Sequence, residues 1–154
     1  MPIMHAKTKI KINTSPTERT DMTFKYHQKV LFKHCDPAKI VFYPRYFEMM
    51  NDSVEVFFDE ALDWPFEKMH ETNGVPTVAI STQFQAPSRH GDHLVLQIEA
   101  TKLGKASMDI VTRATCDDEL RFETTTTLVC VNRDGRPEAW PDAVRSKIEQ
   151  FMKG

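Results

Sequence analysis

Residues 24–33 alternate between apolar and polar side chains, which is the pattern of a half-buried β-strand. The apolar face is formed by Phe24, Tyr26, Val30 and Phe32. Pro37 cannot donate a ladder hydrogen bond, and it disfavours helix at the residue before it. The pattern therefore predicts a first strand that ends in a turn, with a loop that starts at Asp36.

A helical periodicity begins after Pro44, because proline is favoured in the first turn of a helix. Apolar side chains then recur at spacings of three and four, at Phe47, Met50, Val54, Phe57 and Ala61. Tyr46, Met49 and Phe58 widen this stripe beyond the seam of a coiled coil. We therefore predict a long amphipathic helix that packs along most of its length against a broad surface such as a sheet.

Four later segments show period-two patterning and predict strands. They cover residues 77–87, 93–103, 106–116 and 120–131, and the apolar face of the first is formed by Val78, Ile80, Phe84 and Ala86. Turn-forming pairs separate the segments at Gly91-Asp92, Gly104-Lys105 and Asp117-Asp118. Such pairs predict consecutive antiparallel strands with tight connections. Pro141 then opens a short terminal helix whose apolar side is formed by Val144, Ile148 and Phe151.

The order of these elements predicts an α+β fold, in which one long helix lies against a five-stranded antiparallel sheet. A long helix inserted after the first of five strands is the order of the hotdog fold, whose sheet wraps around a central helix. Residues 1–22 are rich in Lys, Thr and Ser, so we expect a mobile arm or a weakly held extra strand there. Residues 23–154 are expected to form a single domain, since a chain of this size buries one core.

Charge and composition argue against several kinds of partner. The 20 basic and 22 acidic residues give a formal net charge of -2, which is not the electrostatic footprint of a nucleic-acid-binding protein. No apolar run approaches the roughly 20 residues that cross a bilayer, and no secretory signal is recognisable. The cysteines Cys35, Cys116 and Cys130 are widely spaced, which is typical of reduced thiols. We expect a cytoplasmic protein that binds neither nucleic acid nor membrane.

The most specific motif is CDPAKIVFYPRY, from Cys35 to Tyr46. It combines an acid followed by proline, an aliphatic-aromatic run, and Tyr-Pro at the predicted helix start. This motif resembles the signature of the 4-hydroxybenzoyl-CoA thioesterase family of hotdog enzymes, and a weaker likeness runs on through Phe84, Pro87, Gly91-Asp92, Gly104 and Ser107. The resemblance implies hydrolysis of an acyl-CoA thioester, without a cofactor. It implies that Asp36 attacks the thioester carbonyl or activates the attacking water, and that the Tyr43 amide binds the oxyanion.

Local physics agrees with a catalytic Asp36 but also allows a structural one. A carboxylate in a loop before a helix lies near unpaired backbone donors and the positive end of the helix dipole. An aspartate before proline and ahead of a helix is, however, more often a turn or capping residue. The whole motif favours the catalytic role.

The phosphates of coenzyme A require basic side chains and backbone donors at the rim of a site. The resemblance places the nucleotide near the turn at residues 104–107, so we interpret Lys102, Lys105 and Ser107 as substrate-binding residues. An ordinary charged hairpin turn is the alternative for each lysine.

Two positions depart from the family pattern. Lys39 stands where the family commonly has glycine, and a cation there narrows the acyl entrance or meets the carboxylate. Asn51 stands where the 4-hydroxybenzoyl-specific enzymes have an acid that meets the ring hydroxyl. We therefore expect Asn51 to contact a different acyl group.

Other chemistry is less well supported. His34 and Cys35 are adjacent in an extended stretch and so point to opposite faces, and we expect His34 to be solvated. The residues His34, Asp36, His90 and His93 lack the spacing of a metal motif, so we predict no metal site. A hotdog dehydratase needs a catalytic histidine before or within the helix, and the predicted helix has none. A non-catalytic acyl-CoA-binding module remains the second alternative.

We also expect a homodimer or homotetramer. A lone five-stranded sheet around one helix leaves its edges and one face uncovered. The family resemblance agrees and implies active sites at the dimer interface.

Overall fold

The computed structural model describes residues 9–12 and 22–152 of the chain. Its strands are β1 (Lys9–Ile12), β2 (Met22–Lys29), β3 (Asn73–Gly74), β4 (Thr77–Phe84), β5 (His93–Leu103), β6 (Ser107–Cys116), β7 (Glu119–Val129) and β8 (Val131–Asn132). Its α-helices are α1 (Tyr43–Val56), α2 (Phe66–Met69) and α3 (Asp142–Gln150). None of the described helices is long and apolar enough to cross a membrane.

The main sheet is antiparallel, with the strand order β1-β2-β5-β6-β7-β4. It contains the five predicted strands, and the short β1 adds a sixth at the edge beside β2. The long helix α1 follows β2, as in the predicted hotdog fold. The other residues of the predicted N-terminal arm, 1–8 and 13–21, lie outside the described residues, and so do 153 and 154.

The prediction that all four later strands pair consecutively was wrong for β4. This strand pairs with β7, at the other edge of the sheet, and β5 pairs with β2 and β6. The Gly91-Asp92 turn instead extends the pairing of β2 with β5, since Gly91 N–H donates to Val30 O and Val30 N–H donates to Asp92 O, both at 2.8 Å. Turn residues report local backbone geometry and do not identify the partner strand.

The core lies between the sheet and the long helix, in which α1 is continued by a π-helical turn, Phe57–Ala61. Phe57 is fully buried, and its ring contacts Phe24 of β2 at 5.1 Å and Phe151 at 5.3 Å between centroids. The buried face of the helix is centred on Tyr46, Met49, Met50 and Ser53. The predicted stripe is therefore rotated slightly, because Phe47 and Val54 are only partly buried.

The ends of two elements refine the prediction. The first strand ends at Lys29, before Phe32, whose side chain is 81% exposed rather than in the core. Residues Phe32–His34 form a 3₁₀ turn. The predicted terminal helix is present as α3, with Val144 and Ile148 buried.

Candidate functional site

Asp36 lies in a tight loop between β2 and α1. Its Oδ1 accepts a hydrogen bond from Ala38 N–H at 2.9 Å. Its backbone N–H donates to Ile40 O at 3.0 Å, and Lys39 N–H donates to Asp36 O at 2.8 Å. Within the described residues, Oδ2 has no hydrogen-bond partner. One carboxylate oxygen therefore shapes the turn, and the other is available for chemistry.

The two ends of the loop run antiparallel to each other, and the second end leads into α1. Cys35 and Val41 form an isolated bridge, and Phe42 N–H donates to His34 O at 2.9 Å. The next residue, Tyr43, begins the helix, so its N–H has no acceptor one turn earlier within α1. No partner for this N–H occurs among the described residues. A free backbone donor at the positive helix end therefore follows closely after Asp36.

His34 is buried rather than solvated, with 4% of its surface exposed, so that expectation was wrong. Its Nδ1 accepts a hydrogen bond from Leu31 N–H at 2.8 Å, which makes the imidazole a neutral structural acceptor in the 3₁₀ turn. Burial lowers the pKa of His34, and the positive charge of Lys33 lowers it further. No group of three or more metal-ligating side chains is found in residues 9–12 and 22–152.

A cavity of about 430 Å³ runs along one side of α1, between the helix and β4. It is lined by Phe47, Met50, Asn51, Val54, Phe66, His70, Gly74, Val75, Pro76, Thr77, Ile80, Thr126 and Leu128. These side chains are mainly apolar and include no lysine, arginine or carboxylate. The volume of the cavity lies within the range of small-molecule pockets.

The cavity lies on the face of α1 that also carries Tyr43, the first residue of the helix. Tyr43, Phe47 and Asn51 are spaced by four residues and so line up along one face. At about 1.5 Å per residue, Asn51 lies roughly 12 Å along the helix from Tyr43. Phe84 of β4 lies beside this line, with ring centroids 6.1 Å from Tyr43 and 6.4 Å from Phe47. The aromatic side chains of Tyr43, Phe84 and Phe47 therefore form a continuous surface from the N-terminal end of α1, which follows the Asp36 loop, to the cavity.

The strand β4 is an open edge with apolar side chains. Val78 is 59% exposed, and Ile80 and Phe84 are each 49% exposed. The predicted apolar face of this strand is thus present, but the described chain covers little of it. Tyr43, 59% exposed, lies next to the same surface.

The predicted nucleotide-binding residues do not join Asp36 within one chain. Lys102 pairs with Asp109 at the far end of β5, whereas His93, at the near end, pairs with Lys29 just before the Asp36 loop. The nine steps between His93 and Lys102 correspond to about 30 Å at about 3.4 Å per residue. Lys102, Lys105 and Ser107 therefore lie at the opposite end of the sheet.

The turn at residues 104–107 is itself well anchored. Gly104 N–H donates to Ser107 O at 2.8 Å, and Trp140 Nε1 donates to the same oxygen at 3.1 Å. A Cβ on Gly104 would lie 2.5 Å from Ser107 Oγ, so a larger residue there would require the Ser107 hydroxyl to rotate away. The side chains of Lys102 and Lys105 are exposed.

Sequence reasoning missed the support of the Asp36 loop. Val41 N–H donates to Ser88 O at 2.8 Å, and Ile40 forms a bridge with Arg89. The segment that follows β4 thus holds the far side of the loop. No local pattern indicates this pairing, because the two segments are far apart in sequence.

A family model for the thioesterase-like superfamily matches residues 30–148. This range contains the Asp36 loop, α1, the cavity and the four long strands that follow. The chain belongs to the thioesterase-like superfamily. Membership in this superfamily confirms the predicted relationship to the thioesterases. No curated protein matches the sequence significantly.

Several solved structures share the fold of this chain. A gentisyl-coenzyme A thioesterase is 26% identical and has a TM-score of 0.74, over 80% of this chain and 98% of that one. A 1,4-dihydroxy-2-naphthoyl-CoA thioesterase from Synechocystis is 19% identical, with a TM-score of 0.75, over 82% and 95%. A hypothetical protein from Staphylococcus aureus in complex with CoA is 15% identical, with a TM-score of 0.78, over 84% and 83%. The predicted hotdog fold is therefore confirmed.

Proposed function

We propose that this protein is an acyl-CoA thioesterase in which Asp36 is the central catalytic group. The observation that carries the proposal is the occurrence of two unpartnered groups at the two ends of one short segment, residues 36–43. The Oδ2 atom of Asp36 and the N–H of Tyr43 have no partners in the described part of the chain. Thioester hydrolysis needs a carboxylate beside the carbonyl carbon and a donor for the oxyanion.

The reaction follows from these two roles. The Tyr43 N–H donates to the thioester oxygen as negative charge develops on it, aided by the positive end of α1. In one route the Asp36 carboxylate attacks the carbonyl carbon and the C–S bond breaks, which leaves a mixed anhydride and the CoA thiolate. Water then hydrolyses the anhydride, which regenerates the Asp36 carboxylate and releases the proton that the thiolate takes. In the other route water attacks, Asp36 accepts its proton, and the proton passes to the leaving sulfur. Both routes release a carboxylic acid and free CoA without a cofactor.

The cavity along α1 is the natural place for the acyl group. A carbonyl held at Tyr43 directs the acyl group down the helix face, past Phe84 and Phe47, towards Asn51. The lining is mainly apolar, contains no lysine, arginine or carboxylate, and adds the polar side chains of Asn51 and His70, so a mainly apolar acyl group with a polar substituent is expected. Asn51 supplies an amide where the 4-hydroxybenzoyl-specific enzymes have an acid, which favours a substrate other than a 4-hydroxybenzoyl group.

A second copy of the chain completes this site in our proposal. The open edge of β4 can pair with the same strand of a partner, which covers its exposed apolar side chains. In a two-fold antiparallel pair, the Phe84 end of one β4 meets the Thr77 end of the other. Thr77 pairs with Leu128, and Leu128 pairs with Met108 at the start of β6. The partner's turn at residues 104–107 is then brought towards Asp36, where its basic side chains can bind the CoA phosphates.

The test of function is the Asp36→Asn substitution. Asparagine keeps the side-chain oxygen that accepts from Ala38 N–H, so the turn is retained. A neutral amide can neither attack a thioester nor accept a proton from water, so kcat should fall by about 100-fold or more with a small change in KM. The measurement is free-thiol release from a panel of acyl-CoA thioesters, with circular dichroism to confirm folding.

Asp118→Asn is a matched control, since Asp118 is an exposed turn aspartate between β6 and β7. It should leave kcat unchanged. A folded Asp36→Asn protein that keeps more than about a tenth of wild-type turnover contradicts the catalytic role, because such groups typically contribute at least about 10²-fold. A wild-type protein that binds acyl-CoA without turning over any of the panel is instead a binding module.

A further inference from the structure

The loop between β4 and β5 is a support for the catalytic segment. Its residues Ser88 and Arg89 are the backbone partners of Val41 and Ile40. These contacts lie between Asp36 and Tyr43 in sequence, so they fix the position of one relative to the other. Any displacement of this supporting loop, residues 85–92, is therefore passed directly to the proposed catalytic groups.

Arg121 of β7 holds the supporting loop through its side chain. Its Nη1 donates to Asp92 Oδ2 at 2.7 Å, to Ser88 Oγ at 3.1 Å and to Pro87 O at 3.1 Å. The same Asp92 oxygen accepts from Arg89 N–H at 2.9 Å. One guanidinium thus ties together three residues of the loop, including the residue that pairs with Val41.

The backbone of Arg121 contributes as well. Its carbonyl oxygen accepts from Gln85 N–H at 2.8 Å and from Ala86 N–H at 3.2 Å. Its Nε lies 2.8 Å from Glu119 Oε1 but makes no hydrogen bond within the described residues, so Glu119 contributes opposite charge and not a directed contact. Side chain and backbone together attach the whole start of the loop to β7.

Arg121 occupies a β-bulge that directs it towards the loop. Ala114 pairs with Phe122 and Thr115 pairs with Leu120, so Arg121 has no partner on β6. Bulges bend a strand and re-aim a side chain, and they are frequent next to active sites. The Arg121 side chain is only 11% exposed. Removing a guanidinium from water costs desolvation free energy. A role in holding the supporting loop accounts for the burial of Arg121 in spite of this cost.

We infer that Arg121 is a positioning residue for thioester hydrolysis, acting through loop 85–92 on the geometry of Asp36 and the Tyr43 amide. The inference rests on the proposed function. Catalysis by positioned groups is sensitive to displacements of about 1 Å, which cost up to about 10²-fold in rate. Arg121 has no need to touch the substrate to have such an effect.

The experiment compares Arg121→Met and Arg121→Lys with Arg113→Met. Arg113 is a suitable control because it also lies in the sheet and pairs with two carboxylates, Glu99 at 3.1 Å and Glu123 at 2.6 Å. None of its hydrogen bonds reaches the supporting loop. The readouts are kcat and KM on the best acyl-CoA, thermal unfolding, and hydrogen exchange of the backbone amides of residues 36–43.

Arg121→Met is expected to lower kcat by about tenfold or more, with KM within about threefold, since geometry and not binding is lost. Amide exchange in residues 36–43 should become faster at the same time. Arg121→Lys keeps a cation near Asp92 and should recover part of both effects. Arg113→Met should lower the unfolding temperature without changing kcat or the exchange of this segment.

The inference is wrong if folded Arg121→Met retains kcat within about twofold, or if exchange in residues 36–43 is the same as in wild type. If Arg121→Met does not fold, Asp92→Asn gives the same comparison, because it removes the charge of the acceptor while it keeps a side-chain oxygen. Hydrogen exchange needs no substrate. A protein without thioesterase activity but with faster exchange in the variants therefore refutes the proposed function and not the support of the loop.

Discussion

The Lys39→Gly substitution should make the folded protein more stable, although position 39 lies in the same loop as the proposed catalytic residue Asp36. Its φ is 69°, in the left-handed region that costs a residue with a Cβ roughly 1–2 kcal/mol. Glycine avoids this cost but loses about 0.5–1 kcal/mol more backbone entropy on folding. The net expectation for Lys39→Gly is a gain of about 0.5–1 kcal/mol. For a domain of this size, that gain raises the unfolding temperature by about 1–4 °C.

The neighbouring substitution Ala38→Gly separates the two contributions. Ala38 is not among the described residues with a positive φ, so glycine there adds only the entropic loss of about 0.4–1 kcal/mol. Thermal and urea unfolding of the two variants should therefore shift in opposite directions. If both variants are destabilised alike, the backbone of Lys39 is not strained and our reasoning fails. Acyl-CoA assays of the same Lys39→Gly protein then show whether the wider loop accepts bulkier acyl groups.

Three further outcomes are expected. Because burial lowers the pKa of His34, the unfolded chain binds more protons than the folded chain as the pH falls through about 6.5, so the folded state becomes less stable on acidification. Urea unfolding at pH 7.5 and 5.5 should therefore show a smaller loss of stability for His34→Gln than for the wild type. Val78→Arg places a charge on the exposed face of β4 at a residue that does not line the cavity, and it should give monomers with little activity on acyl-CoA by light scattering and thiol release. Lys105→Ala should raise KM for acyl-CoA with kcat nearly unchanged, while N-acetylcysteamine thioesters, which lack the nucleotide, should be unaffected.

The sequence predicted those parts of the fold that depend on neighbours in the chain. The helix begins at Tyr43 because Pro44 is favoured in a first turn. Its apolar residues recur at helical spacing, which predicts that one face packs against the core. The strands β5, β6 and β7 follow one another with tight turns, so their pairing is local. The Asp36 loop was predictable for the same reason, since its turn is closed by hydrogen bonds within five residues.

Contacts between distant segments were not predictable from one sequence. The pairing of β4 with β7 joins two strands that are separated along the chain by β5 and β6. Phe32 continued the apolar alternation, yet the strand ends earlier because the His34 side chain captures Leu31 N–H and starts a 3₁₀ turn. The bulge at Arg121 breaks the period-two pattern of β7, and nothing in the neighbouring residues indicates where its side chain points.

The two halves of the proposed site have different support, and they can fail separately. Asp36 and the Tyr43 amide are arranged by hydrogen bonds within one chain, so a monomer still contains them. Lys105 lies at the far end of the sheet and reaches Asp36 only if a second copy pairs along β4. A monomeric protein that hydrolyses N-acetylcysteamine thioesters therefore retains the catalytic assignment and loses the nucleotide site. If the protein is a dimer and Lys105→Ala leaves KM unchanged for every acyl-CoA, Lys105 is not part of the nucleotide site. The assignment of Asp36 as the catalytic residue is unaffected by that result.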